Sequence, residues 1–168
     1  MRANVANIAV DEIKDYVDIC HDHDVKLYVC ANTIVDDMGV ELFKSQLPKL
    51  ESFNVDALII SDMGLINIAN KSSIPLHLSI QANTTNTEAL KLYKDLGISR
   101  AVLSRELSLQ QIKEIKKNSP IEIETFIHGA MCTSYSGRCM LSNYMTDRDS
   151  NRGGCAQICR WNFDLYDE

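Results

Sequence analysis

Short apolar runs alternate with amphipathic stretches along most of this chain, repeating at intervals of roughly 20–30 residues, the spacing of repeated βα units. The runs at 25–31 (VKLYVCA), 57–61 (ALIIS), 76–80 (LHLSI), 101–104 (AVLS) and 121–127 (IEIETFI) read as strands. The first, second and fourth are apolar almost throughout, as strands of a parallel sheet covered on its faces tend to be. Helical periodicity lies between them. It places Ile13, Val17 and Cys20 on one face within 10–23, and Phe43, Leu47 and Leu50 on one face within 40–53. Pro48 threatens to break the second of these helices. Residues 87–96 and 108–117 continue the pattern. Ser108 and Gln111 have capping-box spacing, Thr87 is read as an N-cap, and Gly97 as the residue just beyond a helix end.

About five βα units fit a small open α/β sheet or part of a larger barrel, which needs eight. No glycine-rich phosphate loop supports dinucleotide binding. With 168 residues, 45% hydrophobic and 24% charged, the chain has the size and composition of one soluble domain. A net charge of −6 argues against a nucleic-acid surface spread over the whole chain. Arg138, Arg148, Arg152 and Arg160 leave a local basic patch open. The N-terminus has no long apolar run, and no stretch approaches the roughly 18–20 apolar residues that span a bilayer. The expected compartment is the cytoplasm, where disulfides rarely persist.

After Phe126 the periodicity stops. Glycines punctuate an irregular segment that carries Cys132, Cys139, Cys155 and Cys159, separated by six, fifteen and three residues. A long irregular stretch needs something to organise it. The thiols could be metal or cluster ligands, disulfide partners or reactive groups; a reducing compartment favours ligands. Only Cys155 and Cys159 have the close spacing of a zinc knuckle. The wider gaps suit a four-iron four-sulfur cluster, with zinc as the alternative. Cys20, on a helix stripe, and Cys30, in a strand, read as small buried hydrophobes.

The run from Glu124 through Phe126, His128 and Gly129 to Cys132, then Ser136-Gly137-Arg138-Cys139 and on to Ser142, resembles the signature of the collagenase-like protease family, peptidase family U-32. So do NRGGCAQICRW at 151–161, SIQANTTN at 79–86, LSRELS at 103–108 and the pair Asn32-Thr33. The resemblance implies a partial TIM-type βα barrel over residues 1–127. Residues 128–168 would form a cysteine-rich segment of the same domain. It also implies that leading and trailing barrel units lie outside this chain, so that those units or a partner chain complete it. Related members use an iron–sulfur cluster in oxygen-independent hydroxylation of RNA bases or of a quinone precursor. The family name implies a peptidase, here one using a thiol. A zinc-stabilised RNA-binding fragment is a third reading, and no membrane role is expected.

In a barrel, residues just past the strands converge on one mouth. Asn32, Gln81, Asn83 and Arg105 are the expected substrate-binding residues, beside Thr33, Ser61, Asp62 and Glu106. Asp62 and Thr33 could equally cap helices. His128, Arg105 and Glu124 are the candidate catalytic residues, His128 as general acid or base. Glu122 and Glu124 share a strand face, where one could pair with an arginine of the cysteine segment. His77 sits in mid-strand, and His21 and His23 near an exposed helix end.

Overall fold

A computed structural model describes residues 8–164; the first residues of the N-terminal segment and the last four of the cysteine-rich segment lie outside them. Five strands, β1 (Tyr28–Ala31), β2 (Ala57–Ile60), β3 (Leu76–Leu78), β4 (Ile98–Val102) and β5 (Glu122–Glu124), pair side by side in chain order, all parallel. A doubly wound sheet reverses its strand order at a switch point. No reversal occurs here, so the sheet is an arc of a singly wound βα barrel, as the resemblance implies.

The helices are α1 (Ile13–Asp22), α2 (Asp37–Ser52), α3 (Met63–Ala69), α4 (Thr87–Asp95), α5 (Leu109–Asn118) and α6 (Leu141–Thr146). Strand residues alternate between two faces. Leu58, Ile60, Leu76, Leu78, Ile98 and Ala101 join Val17, Phe43, Leu47, Leu50, Leu65, Leu90 and Ile115 in one core. That face therefore carries the helices. The opposite face holds a row aligned by the register, Cys30, Ile59, His77, Arg100 and Glu122. Between Leu76 and His77 the pairing with β4 skips Ser99, whose Oγ donates to the Leu76 carbonyl at 3.0 Å. Arg100 consequently faces away from the core.

Several expectations shift. Pro48 lies inside α2, which runs on to Ser52. An interior proline costs about 3 kcal/mol. Phe43, Leu47 and Leu50, all buried, contribute roughly 1.5–3 kcal/mol each, enough to hold the helix together. Asn86, not Thr87, caps α4, accepting from the Ala89 N–H at 2.9 Å. The Ser108–Gln111 box forms as expected. Gly97 has φ +87, and a Cβ there would meet Asn70 Oδ1 at 1.8 Å, so only glycine fits. β4 begins at Ile98, three residues before the run read as its strand, and β1 and β5 are shorter than their apolar runs. Cys30 is exposed rather than buried, because no helix covers its face of the sheet.

That face buries one histidine. His77 is 7% exposed, packs edge-on to the Tyr28 ring at 4.8 Å between centroids, and lies beside Arg100, which stands 5.9 Å over the same ring. Burial, then the Arg100 charge, hold its imidazole below the ordinary value of 6.5. A lowered value means that the unfolded chain binds the proton more tightly. The neutral ring therefore supports folding above pH 6.5, and that support is lost as the pH falls through the folded value. Denaturant melts at a series of pH values should show this acid-side loss, and His77→Gln should flatten it. Leu78→Ala, at a position with no exposure, should cost about 2–5 kcal/mol in the same melts.

Candidate functional site

The parallel register brings the C-terminal ends of all five strands to one edge of the sheet. The chain then returns over that edge. Residues 126–160 fold across it and enclose a cavity of about 770 Å³, floored by Cys30, Ile59 and Val102. Most of this cover is irregular. Besides α6, it holds three single 3-10 turns at Tyr135–Gly137, Ser150–Arg152 and Ile158–Arg160.

The cover is fastened through Ser136, which has no exposure and sits at φ +46, a left-handed conformation that serine rarely adopts. Its N–H donates to Glu106 Oε1 at 2.8 Å, and its hydroxyl lies 2.7 Å from Asn83 Oδ1 and 3.1 Å from Glu106 Oε2. The Ser104 hydroxyl donates to the same Glu106 oxygen. Arg105 Nη2 donates to the Ser134 carbonyl at 3.2 Å, and Arg138 Nε to the Gln81 carbonyl at 3.0 Å. An outer ion pair joins Arg152 to Asp36 at 2.8 Å, but both side chains are about half exposed, so solvent and salt screen it. The Ser136 N–H and hydroxyl are fully buried and meet a charged acceptor, so they, rather than the exposed ion pair, fix this part of the cover. Burial alone would push the Glu106 carboxyl up. The Ser136 N–H and hydroxyl and the Arg105 charge outweigh it and hold the group below the ordinary 4.5.

Nine of the ten expected site residues line the cavity: Asn32, Gln81, Arg105, Glu124, His128 and the thiols of Cys132, Cys139, Cys155 and Cys159. Asn83 is not among the lining residues, since its carbonyl serves Ser136. Three of the expected substrate residues present buried polar atoms with no protein partner: Asn32 Oδ1, Gln81 Oε1 and Arg105 Nε. Orphaned groups of this kind are costly unless a ligand or water meets them. Glu124 lines the cavity, and among the described residues neither it nor Glu122 pairs with an arginine of the cysteine segment. Glu122 instead meets Arg100 on the neighbouring strand at 2.7 and 2.9 Å, because the register sets the two side by side. Asp62 caps α3, a helix that periodicity did not reveal, accepting from Gly64 at 2.8 Å. Glu106 and Ser136 are the residues whose weight the sequence understated. The signal was there, an acid directly after Arg105 and a serine between two cysteines.

The four arginines read as a possible phosphate patch are all engaged within the fold. Beyond Arg138 and Arg152, Arg160 donates to the Met131 carbonyl at 3.0 Å and Arg148 to the Cys155 carbonyl at 3.5 Å. Among the described residues no three His, Cys, Asp or Glu side chains stand at metal-ligand separation. The fit to a thiolate-bound group is therefore one of donor chemistry and shared cavity: four soft sulfur donors facing one space. The thiol of Cys139 is held in a hydrogen-bonded setting. The Ser134 hydroxyl, then the Ser142 N–H, hold its thiol below the ordinary 9.0. Among the described residues no hydrogen bond links His128, which is exposed, to Cys132.

Comparisons with known proteins extend these observations. The family model described as Peptidase family U32 matches residues 1–168. The chain is 42% identical to the tRNA hydroxylation protein P1 of Bacillus subtilis over 99% of its own length and 40% of that protein's. It is 38% identical to the 23S rRNA 5-hydroxycytidine C2501 synthase of Escherichia coli, over 99% of this chain and 25% of that one. The chain thus spans less than half of the curated relatives it matches. Among solved structures, the U32 peptidase Mk0906 superposes with a TM-score of 0.60 at 18% identity, over 70% of this chain and 51% of that one, a likeness of fold. No helix among the described residues is long and apolar enough to cross a membrane.

The lowered Cys139 thiol is directly testable. Iodoacetamide labelling of metal-free protein across a pH series, with peptide mapping, should place half-maximal modification of Cys139 below pH 9.0. Ser134→Ala should move that midpoint up.

Proposed function

The chain belongs to peptidase family U32, and from that premise we propose that it is the thiol-bearing part of an enzyme that hydroxylates RNA bases. The observation that carries this reading is the cavity itself. Four cysteine thiols and three unsatisfied polar groups face one space at the C-terminal ends of parallel strands, where βα barrels conduct their chemistry. The names of relatives 42% and 38% identical to this chain point to RNA hydroxylation as the reaction.

In this reading Cys132, Cys139, Cys155 and Cys159 hold a four-iron four-sulfur cluster, with zinc as the alternative for the same thiols. When bound, such a cluster supplies one-electron redox chemistry. The chain's own residues do the rest. Asn32 and Gln81 accept hydrogen bonds from a base or small co-substrate through their orphaned oxygens. Arg105 offers its unpaired Nε to an acceptor on the same ligand. His128 and Glu124, at the cavity wall, are positioned to move a proton at the substrate. A quinone precursor in place of an RNA base would use the same groups. A thiol peptidase has less support, since its dyad needs a base hydrogen-bonded to the nucleophile, and His128 and Cys132 share no such bond.

The test uses the full-length protein, purified without oxygen. Iron and sulfide should be present in comparable amounts. Transfer and ribosomal RNA from cells lacking the protein should lose a nucleoside one oxygen atom heavier than its parent, as read by mass spectrometry. Wild type should restore it and Cys132→Ala should not. Unchanged nucleosides, together with peptide cleavage abolished by Cys132→Ala, would overturn the assignment in favour of a peptidase.

A further inference from the structure

Cys132 and Cys139 sit in one short stretch of chain, and Ser136 lies between them, four residues after the first and three before the second. The two thiols are partly buried, whereas Cys155 and Cys159 are exposed. The first pair flanks the buried Ser136, and the second pair's segment is attached elsewhere, through the Ala156 N–H to Ser142 Oγ at 3.0 Å. We propose that Glu106 is a positioning residue that holds the Cys132–Cys139 loop, and so two of the four cavity thiols, against the barrel mouth.

The hydrogen-bond accounting supports an ionised glutamate in this place. Three donors face the cluster: the Ser136 N–H, the Ser136 hydroxyl and the Ser104 hydroxyl. The acceptors are the two Glu106 oxygens and Asn83 Oδ1. The N–H goes to Glu106 Oε1 at 2.8 Å, the Ser136 hydroxyl to Asn83 at 2.7 Å, and the Ser104 hydroxyl to Glu106 Oε2. Every donor finds an acceptor; the two hydroxyls also lie within 3.1 Å of each other, so the network is continuous, and the carboxylate accepts from both serines. A glutamine would keep an acceptor for the Ser136 N–H but lose the charge and put a donor where an acceptor stood, so the two hydroxyls would have to reorient. An alanine would leave the buried N–H unmet. The left-handed backbone at Ser136 adds to the case, since a non-glycine residue keeps that conformation only where its surroundings over-determine it. Gly137, also at positive φ, follows it and lets the chain turn toward Arg138 and Cys139.

The attachment also reaches the cavity wall. Arg105, next to Glu106, holds the Ser134 carbonyl through Nη2 while its Nε remains orphaned. Arg138, next to Cys139, holds the Gln81 carbonyl. The loop that presents two thiols is therefore tied to the residues that face the ligand. The fastening itself stands on the geometry, and only its link to iron retention rests on the proposed cluster.

Two measurements on the full-length protein test this. In metal-free protein, pulse alkylation with iodoacetamide and peptide mapping give a rate for each thiol. Glu106→Ala should raise the rates of Cys132 and Cys139 about tenfold while leaving Cys155 and Cys159 within about twofold, the effect of losing charge-assisted hydrogen bonds at one end of the segment only. Glu106→Gln should fall between, because it keeps an acceptor for the N–H. Ser136→Ala, which removes only the hydroxyl contacts, should give a smaller rise at the same two thiols and serves where Glu106→Ala does not fold. Equal changes at all four thiols, or no change at any, would overturn the proposal. The second measurement is iron release to a chelator after anaerobic loading, expected to be fastest in Glu106→Ala and intermediate in Glu106→Gln. If wild type takes up no iron yet the alkylation pattern holds, the fastening stands and the cluster reading falls.

Discussion

The unbroken parallel register of five strands is the constraint on which everything else rests. It brings Asn32, Gln81, Arg105 and Glu124 to one edge of the sheet although they are scattered over more than half the chain. No single contact among them is strong enough to do this. The buried rows Leu58–Leu76–Ile98 and Ile60–Leu78–Ala101 fix the register, because a slip of one residue would turn each apolar side chain to the open face. The chemistry at the mouth is thus set by hydrophobic pairing well below it.

The cysteine-bearing cover obeys a different rule. It has little regular structure and few buried apolar side chains, Ile158 being the main one. Its position is held by side chain to backbone hydrogen bonds, among which the one from the buried Ser136 N–H to Glu106 is charge-assisted. The arginines in this stretch each tie one part of the cover to another or to the barrel. Of the four, only Arg152 meets an acid, Asp36; the other three donate to neutral carbonyls and keep their charge.

Much of this was legible in the order of residues. Apolar runs located every strand, and the Ser108–Gln111 spacing located the start of α5, because burial and capping are local signals. β4 was misplaced by three residues because Ser99 and Arg100 interrupt its apolar pattern. Ser99 is exposed and Arg100 faces away from the helices, so the first half of the strand does not read as a continuous apolar run. α3 is only seven residues long, too short for periodicity to stand out, although Asp62 marked its start. Place after a strand marked Asn32, Gln81, Arg105 and His128, and clustering marked the four cysteines, all of which line the cavity. The sequence could not show that Asn83 turns to Ser136, nor that Glu122 rather than Glu124 takes an arginine, since both depend on contacts distant in the chain.

The skipped pairing at Ser99 carries one more consequence. Ile98 and Ala101 both face the helices while Arg100 faces away, an arrangement that strict alternation permits only if one residue between Ile98 and Arg100 is left uncounted. Ser99 is that supernumerary residue. Shortening β4 by this one position would keep the guanidinium beside Glu122 and the neighbouring side chains on their present sides. Removing Arg100 instead would leave Glu122 without its cation. Within this strand, then, the tolerance of the fold for a lost codon is concentrated at a single place.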